Sequence, residues 1–319
     1  ISSILYPNKI KEKVAVTGTN GKTSITNYVM QLWNTKKQNN CSIGTLGLIY
    51  NKKVMETSNL TTPDALTNHK YLNKLTKMGC QRIIFEASSI GLDQFRLYPL
   101  KFNAVAFTNL SRDHLDYHKS MRNYKNCKSL LFENYLKNNS FSVINSDTTY
   151  SKYFLNICKK NNITILDYGR NASFLKINKI KKVNGKFLVS LKLLNTSFNI
   201  EIESTTIFEI YNKICALLLV FGKKIKVNDF KLIKKLKNPE GRVEKIYNKK
   251  KISVFIDYAH TPNAIKNVLS SLKNIVSGNL FLLFGCGGDR DKGKRLMMTK
   301  EALKFSDHII ITDDNPRFE

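Results

Sequence analysis

The chain has 319 residues, 42% of them hydrophobic and 24% charged, which is typical of a globular protein with room for two domains. Its net charge of +28 suits an anionic substrate, but the lysines are scattered and no aromatic-basic RNA motif or zinc-finger spacing occurs, so we expect no nucleic-acid partner. The six cysteines form no C-x-x-C pair and no apolar run is long enough to span a membrane, which favours a cytoplasmic protein without a disulfide framework or membrane partner.

Short apolar runs alternate with amphipathic segments of helical length, which predicts an α/β fold with a mostly parallel sheet. The run "KVAVTG" is predicted to be a strand that leads into a helix from Lys22 to about Thr35, and further strands are predicted in "RIIFEAS", "AVAFTNL", "FSVINSD" and "NITILDYG". Alternating residues between positions 173 and 204, around the turn "NGK", predict an inserted antiparallel hairpin. A strongly apolar helix is predicted from residue 209 to residue 221.

A Pro-Gly break in "KNPEGRVEKI" predicts a domain boundary near Asn238. We therefore predict a central P-loop domain at residues 1–238 and a second, Rossmann-like α/β domain at residues 239–319. The second domain has three predicted strands, in "ISVFIDYAHTP", "NLFLLFGCGGDRD" and "HIIITDDNPR". Three strands are few for an independent sheet, so this domain is expected to be incomplete.

The stretch "GTNGKTS" is a glycine-rich turn between a predicted strand and a predicted helix. Its glycines would let backbone N–H groups close around phosphate oxygens, its lysine would reach the terminal phosphates, and its first threonine after the lysine would hold Mg²⁺. The generic P-loop pattern requires a glycine where this chain has Val16, so the loop is shorter than usual. The alternative is a structural turn with an exposed lysine. The candidate nucleotide-binding residues are Gly18, Thr19, Asn20, Gly21, Lys22, Thr23 and Ser24.

Polar side chains follow two further predicted strands. Glu86 and Ser88 end "RIIFEAS", and His114 lies in "FTNLSRDHLDYH" between Asp113 and Asp116. Ligands of open α/β sheets collect at the carboxyl ends of the strands, so a glutamate and a histidine there could complete a magnesium site beside bound phosphates. Taken alone, His114 is better explained as a capping or hydrogen-bonded loop residue, and a strand-end glutamate such as Glu86 is often just solvated. Only their combination with the glycine-rich loop favours a metal site.

Seven motifs, "GTNGKTS", "TTPD", "EASSIGLDQFR", "FTNLSRDHLDYH", "DYAHTPNAI", "GCGGDRDKGKR" and "DNPR", occur in the order seen in Mur ligases. From about Lys13 to Arg317 the chain resembles this family, most closely the branch that adds an amino acid to UDP-N-acetylmuramoyl-L-alanyl-D-glutamate. The resemblance implies an ATP-dependent, ADP-forming amide ligase of peptidoglycan synthesis. In that scheme a substrate carboxylate is phosphorylated and an amine then attacks the acyl phosphate. We expect a monomer.

The resemblance also implies roles for individual residues. It implies one Mg²⁺ on Thr23 and a second on Glu86 and His114, with Lys128 carbamylated so that it becomes a metal-binding carboxylate. One more lysine in a basic chain is the alternative for Lys128. The implied catalytic residues are Lys22, Glu86, His114 and Lys128, and the implied further nucleotide contacts are Asn212 on the adenine side, Arg242 and Asp257. The implied substrate contacts are Thr61, Thr62, Ser88, Gln94, Arg96, Arg290, Asp314, Asn315, Pro316 and Arg317.

In the family, "DNPR" accompanies meso-diaminopimelate as the added amino acid. Arg317 is therefore expected to pair with the far carboxylate of diaminopimelate, and Arg290 to hold the substrate from the other side. A strand-ending turn with Asn-Pro punctuation is the alternative for this motif. The chain departs from the family at Ile90, where histidine is common, and at "IFEIYN", which lacks the glycine usual before Asn212.

The resemblance implies a uridine-binding domain before Ile1 and the rest of the third domain after Glu319. The stretch is thus expected to be the central domain and half of the C-terminal one, with doubtful activity on its own. Three alternatives remain: a folylpolyglutamate synthase-like ligase, a basic ATP-binding module, and an inactive truncated remnant.

Overall fold

The computed structural model describes residues 2–183, 185–249 and 251–319. The chain forms two compact units, each assembled from three stretches. The first unit comprises Ile1–Leu110, Lys125–Ile202 and Tyr211–Lys237, and the second comprises Ser111–Tyr124, Glu203–Ile210 and Asn238–Glu319. The second unit thus takes two short stretches from the predicted first domain. Within the described residues, no helix is both long and apolar enough to cross a membrane.

The first unit is built on an eleven-stranded sheet, in the order β11-β10-β9-β8-β7-β6-β1-β5-β2-β3-β4. Neighbouring strands are parallel along the central run β9-β8-β7-β6-β1-β5-β2. At the two ends of the sheet, the neighbours in β2-β3-β4 and in β9-β10-β11 are antiparallel. Their bounds are β1 Glu12–Thr17, β2 Asn40–Gly44, β3 Gly47–Tyr50, β4 Lys53–Glu56, β5 Arg82–Glu86, β6 Phe102–Phe107, β7 Leu136–Asn145, β8 Thr164–Gly169, β9 Leu175–Val183, β10 Lys186–Leu193 and β11 Thr196–Ile202.

The predicted α/β class with a mostly parallel sheet is confirmed. The segment predicted as an inserted hairpin forms three antiparallel strands that extend the main sheet, because β9 also pairs in parallel with β8. The predicted turn residue Asn184 lies outside the described residues. Sequence reasoning left the antiparallel edge β2-β3-β4 unassigned, since these strands are only four or five residues long.

Helix α2 occupies the predicted span, and its start is set by Gly21, whose φ of 91° ends the preceding loop in the left-handed region. After α8 the chain forms 3₁₀ turns at Gly222–Lys224 and Val227–Lys235. The helices are α1 Ser2–Leu5, α2 Lys22–Thr35, α3 Ala65–Lys77, α4 Ser89–Asp93, α5 Leu115–His118, α6 Met121–Asn134, α7 Ser151–Lys160, α8 Ile207–Phe221, α9 Pro262–Lys273 and α10 Gly293–Phe305.

The described residues of the second unit form four strands, so the prediction of three was wrong. Strand β12 (Glu244–Lys249) follows the Pro-Gly break directly and pairs antiparallel with β13 (Ile252–Ile256). Strands β14 (Phe281–Phe284) and β15 (His308–Ile311) pair in parallel. Helices α9 and α10 supply most of the core, whose buried members are Val243, Ile265, Val268, Leu269, Leu272, Leu280, Met298 and Ala302.

A buried lysine lies at the start of the central strand β1. The Lys13 ammonium donates to the carbonyl of Ile10 at 2.6 Å, and the residue is only 9% exposed. Burial, together with the nearby charge of Lys137, lowers the pKa of Lys13 to about 8. The folded state therefore releases this proton at a lower pH than the unfolded chain does.

We expect wild type to gain stability relative to Lys13→Met as the pH rises from 7 to 10. Because the folded pKa lies below the unfolded value, the cost of burying the charge is fully present below about pH 8 and is relieved above it. Urea unfolding of both proteins across this range measures the difference, and Lys53→Met, at an exposed position, serves as a matched variant. A wild-type-minus-variant difference that stays constant from pH 7 to pH 10 would contradict the prediction.

Candidate active site

The loop after β1 has a shape that only glycine permits at two positions. A Cβ on Gly18, whose φ is 149°, would lie 1.9 Å from Thr108 Oγ1. A Cβ on Gly21, whose φ is 91°, would lie 2.6 Å from Asn212 Oδ1. Asn212, expected on the adenine side of a nucleotide, is thus in contact with the loop at the start of α2. The loop therefore forms a cradle that side chains would fill.

The end of strand β6 holds this loop in place. The backbone N–H groups of Thr19 and Asn20 donate to the carbonyl and the side-chain oxygen of Asn109, at 2.9 and 3.0 Å. In return, the Thr108 hydroxyl donates to the carbonyl of Asn20 at 2.7 Å. Because β1 and β6 are parallel neighbours, these contacts fix the loop above the carboxyl edge of the sheet.

Two ammonium groups converge on the loop. Lys22 Nζ donates to the carbonyls of Gly18 and Thr19, both at 2.8 Å, and Lys128 Nζ donates to the carbonyl of Gly18 at 2.9 Å. Lys128 is only 1% exposed, and the first turn of α2 contains no acidic residue. Two cations beside a helix N-terminus, where backbone N–H groups lack intrahelical partners, fit the phosphates of a nucleotide.

An oxygen-rich pair lies next to the loop. The Thr23 hydroxyl donates to Glu86 Oε2 at 3.0 Å, and Glu86 Oε1 accepts from the backbone N–H of Thr45 at 3.0 Å. Glu86 is 1% exposed and fits against Gly44, where a Cβ would lie 2.2 Å from its carboxylate. A cavity of about 140 Å³, lined in part by Thr23 and Glu86, adjoins the pair.

This pair fits Mg²⁺, which commonly takes one or two protein oxygens and fills its other positions with water and phosphate oxygens. In the described part of the chain, no three His, Cys, Asp or Glu side chains are grouped so that they could hold a metal ion. A magnesium ion here would therefore depend on hydroxyl, phosphate and water oxygens besides Glu86. Of the predicted metal ligands, Glu86, Thr23 and Lys128 belong to the first unit and His114 to the second.

The predicted substrate contacts of the first unit form one hydrogen-bonded cluster. The Thr62 hydroxyl lies 2.9 Å from the Ser88 hydroxyl and donates to the carbonyl of Glu86 at 2.8 Å. Arg96 donates to the carbonyl of Thr62 at 2.9 Å and to the side-chain oxygen of Gln94 at 2.6 and 3.0 Å. Thr61 joins the cluster to the Thr23–Glu86 pair, because its hydroxyl is 3.2 Å from that of Thr45, which in turn lies 3.2 Å from Glu86 Oε2.

In the second unit, a buried carboxylate faces several basic groups. Asp113, with a side chain 2% exposed, pairs with Lys294 at 3.0 Å and lies 3.4 Å from the Nε2 atoms of both His114 and His260. Burial alone would raise the pKa of Asp113. The hydrogen bond from His260 and the charges of His114 and Lys294 outweigh burial and hold this pKa well below its ordinary value. Asp113 thus stays ionised and joins the "SRDH", "DYAH" and "GKR" motifs.

A second ion pair joins the same stretches of chain. The Arg112 guanidinium binds the Asp291 carboxylate through two hydrogen bonds, Nε to Oδ2 at 3.0 Å and Nη2 to Oδ1 at 2.9 Å. Such a bidentate pair fixes both position and orientation. Arg290, a predicted substrate contact, lies 4.0 Å from Asp116.

The "GGD" loop after β14 and the "DNPR" turn after β15 lie side by side. Gly288 N–H donates to the carbonyl of Asn315 at 2.8 Å, and a Cβ on Gly288 would lie 1.9 Å from the carbonyl oxygen of Pro316. Asp314, Asn315, Pro316 and Arg317 are all exposed. The structure therefore brings the loops of Arg290 and Arg317 together at the carboxyl ends of two parallel strands.

The predicted nucleotide contacts Arg242 and Asp257 are also neighbours. The Arg242 guanidinium lies over the ring of Tyr258, 4.6 Å from its centroid, and Asp257 accepts the backbone N–H of Val243 at 2.8 Å. Burial raises the pKa of Asp257, against the opposing effects of that hydrogen bond and of Arg242. An arginine on an aromatic face next to a carboxylate offers a flat, polar surface.

Sequence reasoning missed several residues of the site. Thr45 was not considered, although "CSIGT" is a further apolar strand that ends in a polar residue, the signal that identified Glu86. The loop-bracing role of Asn109 and the pairing of Arg112 with Asp291 depend on contacts between residues far apart in sequence. No local pattern predicts such contacts.

A glycine-shaped loop at a helix N-terminus, two lysines and an adjacent threonine–glutamate pair define an α/β protein built to hold a nucleotide polyphosphate. The family description "Mur ligase middle domain" matches residues 16–220, and "Mur ligase, glutamate ligase domain" matches residues 241–319. The chain belongs to the Mur ligase family.

Curated proteins with ligase names are similar to the chain along nearly its whole length. The chain is 39% identical to a protein named UDP-N-acetylmuramoyl-L-alanyl-D-glutamate–2,6-diaminopimelate ligase from Rickettsia bellii, over 99% of this chain and 67% of that protein. It is 35% identical to a protein of the same name from Agrobacterium fabrum, over 100% of this chain and 65% of that protein. The chain thus spans about two thirds of the length of the curated relatives that it matches.

Solved structures agree with this assignment. A structure of a ligase with the same name superimposes with a TM-score of 0.74 at 33% identity, covering 99% of this chain and 65% of that one. Folylpolyglutamate synthase of Mycobacterium tuberculosis, complexed with ADP, superimposes with a TM-score of 0.76 at 15% identity, covering 98% of this chain and 76% of that one. At that identity the second likeness shows a shared fold alone.

We expect Gly18→Ala to weaken the binding of Mg²⁺–ADP by at least about tenfold, or about 1.4 kcal/mol, because the new Cβ would collide with Thr108 and the loop would have to move. Isothermal titration of the purified chain measures the effect. Gly278→Ala is the matched control, because a Cβ at Gly278 has no atom within 4 Å. Equal affinity of the Gly18 variant and wild type would contradict the loop's assigned role.

Proposed function

We propose that this chain is the nucleotide-binding and amino-acid-binding part of a UDP-N-acetylmuramoyl-L-alanyl-D-glutamate–2,6-diaminopimelate ligase of peptidoglycan synthesis. The observation that carries the proposal is the 39% identity with the Rickettsia bellii ligase along 99% of the chain. The gathering of the motif residues into a phosphate loop, a threonine–serine–arginine cluster and paired arginine loops supports it. The family's ligases use ATP and Mg²⁺.

Each part of the first unit has a task in this proposal. Bound ATP would supply the phosphoryl group that activates the substrate carboxylate, and Mg²⁺ would neutralise phosphate charge. The Lys22 ammonium, which donates to the carbonyls of Gly18 and Thr19 in this structure, would instead donate to the phosphate oxygens of bound ATP. Thr23 and Glu86 would hold the ion, while Thr62, Ser88 and Arg96 would orient the UDP-linked substrate through its carboxylate or phosphates.

The second unit would bind the incoming amino acid. Arg317 lies on an exposed turn that is fixed to the loop of Arg290 by the bond from Gly288 to Asn315. Two guanidinium groups on adjoining loops suit an amino acid with a carboxylate at each end, such as meso-diaminopimelate. Lysine offers an ammonium at its far end, and an arginine would repel it.

Lys128 is proposed to be carbamylated. Its buried amine lies against the phosphate loop, where a carboxylate in place of the ammonium would add oxygen ligands for a second Mg²⁺ in the first unit. Because the side chain is buried, water would be excluded from the carbamate and its loss would be slowed.

We expect the complete protein that contains this chain to release phosphate from ATP only when UDP-MurNAc-L-Ala-D-Glu and meso-diaminopimelate are both present. Arg317→Ala should lower kcat/KM for diaminopimelate by about 10- to 100-fold, the loss of a charged hydrogen-bonding pair. Steady-state phosphate release measures both, with Lys304→Ala, an exposed lysine that pairs with Glu301 three residues earlier in the same helix, as the control. Equal activity with L-lysine would overturn the assigned specificity.

We expect Lys128→Ala to abolish ligase activity, and excess bicarbonate not to restore it, since alanine has no amine to modify. Native mass spectrometry and ¹³C NMR with labelled bicarbonate give an independent readout. Wild type should carry one labelled carbon at Lys128, whereas the variant should carry none. Strong activity in Lys128→Ala, or wild type without the label, would remove the carbamate from the proposal.

A further inference from the structure

Two cysteines that the proposed reaction does not use are in contact near the starts of the neighbouring strands β2 and β5. Cys41 is on β2, and Cys80 lies between α3 and β5, two residues before Arg82 opens that strand. Their sulfur atoms are 3.1 Å apart, within hydrogen-bonding distance of each other. A disulfide bond measures about 2.05 Å, so the two atoms are within about 1 Å of bonding distance.

The surrounding structure holds the two thiols in this arrangement. Strands β2 and β5 are parallel neighbours, with Asn40 opposite Arg82, so the backbone on both sides of the pair is fixed by the sheet. The carbonyl of Arg82 lies 3.2 Å from Cys80 Sγ and 3.5 Å from Cys41 Sγ. Both thiols therefore share one acceptor, and neither has to cross a gap to meet the other.

Access and acidity differ between the two sulfur atoms. Cys41 is fully buried, whereas Cys80 is 6% exposed. The hydrogen bond with Cys41 lowers the pKa of Cys80, while burial raises the pKa of Cys41 well above its ordinary value. The thiolate is the reactive form of cysteine, so Cys80 is the member that a small oxidant would reach first.

The other four cysteines are poorer targets. Burial raises the pKa of Cys158 to about 11 and that of Cys215 to about 12. Burial, followed by the neighbouring Asp93, raises the pKa of Cys127 to about 12, and burial also raises the pKa of Cys286. All six cysteines are free thiols in this structure.

We propose that Cys41 and Cys80 form a reversible dithiol–disulfide site that is oxidised by peroxides. The Cys80 thiolate attacks one oxygen of the peroxide, the O–O bond breaks, and Cys80 becomes a sulfenic acid as hydroxide leaves. Cys41 sulfur then attacks Cys80 Sγ, the S–O bond breaks, and water leaves with the proton of the Cys41 thiol. The hydroxide takes up the proton that ionised from Cys80, so two thiols and one hydrogen peroxide give one disulfide and two waters.

The cross-link would act on the candidate active site through the sheet. Cys41 lies three residues before Gly44 on β2, and β5 ends at Glu86, which fits against Gly44. A bond between the starts of these strands closes the loop that contains Thr45, Thr61 and Thr62. The chemistry of the pair does not depend on the proposed ligase function.

Peptide mapping after mild treatment with hydrogen peroxide tests the proposal on the purified chain. Tryptic digestion without reduction should give peptides 38–52 and 78–82 joined through Cys41 and Cys80, with two of the six thiols lost and both recovered by dithiothreitol. The melting temperature should rise by about 5 °C, because the bond constrains a loop of about 40 residues.

Variants separate the two roles. Cys41→Ser should leave a sulfenic acid on Cys80 that a dimedone probe labels, whereas Cys80→Ser should leave Cys41 unlabelled. Cys158→Ser, which removes a buried thiol elsewhere, should cross-link as wild type does. Peroxide-treated wild type in which other cysteines are oxidised but these peptides remain separate, or are joined only after denaturation in urea, would overturn the proposal.

Discussion

The candidate site depends on the close approach of two backbone segments at the end of strand β1. Gly18 lies so near Thr108 that a single methyl group would separate them, and the hydrogen bonds from Thr19 and Asn20 to Asn109 require that approach. From this junction the rest of the first unit's site is positioned: the start of α2, the two lysines, and Thr23 against Glu86. Glycine at position 18 is thus required for the loop to keep the shape that fits a phosphate.

The same principle recurs at other positions of the two units. Gly44 leaves room for the Glu86 carboxylate, and Gly288 leaves room for the backbone of the "DNPR" turn. In each case a missing side chain lets a charged group or a neighbouring loop approach the backbone. Buried charges then need partners, and Asp113 has them in Lys294, His114 and His260. Several candidate site residues therefore lie next to a glycine, whose missing side chain leaves room for a backbone segment or a carboxylate.

Much of this could be predicted from the sequence because the signals are local. The strand, glycine turn and helix around "GTNGKTS" lie within one short stretch, and α2 occupies its predicted span. The order of seven motifs identified the family, which the comparisons confirm. The assignment of individual residues to metal, nucleotide and substrate remains a prediction. The pairing of Arg112 with Asp291, and the fourth strand of the second unit, escaped prediction because long-range contacts and a short exposed strand leave no periodic pattern.

The discontinuity of the second unit has a consequence for how the chain is made. Asp113 emerges from the ribosome long before His260 and Lys294, the groups that neutralise its charge, since its ion pair with Lys294 spans 181 positions. Until then the segment of residues 111–124 offers Asp113 one basic neighbour, His114, and lacks the other two, His260 and Lys294. Folding of this unit therefore has to wait for nearly the whole chain, whereas the β1–α2–β2 segment can form early. Dividing the chain at Asn238 would therefore not give two fragments that fold independently. Asp113 would lie on one fragment, and its partners His260 and Lys294 on the other.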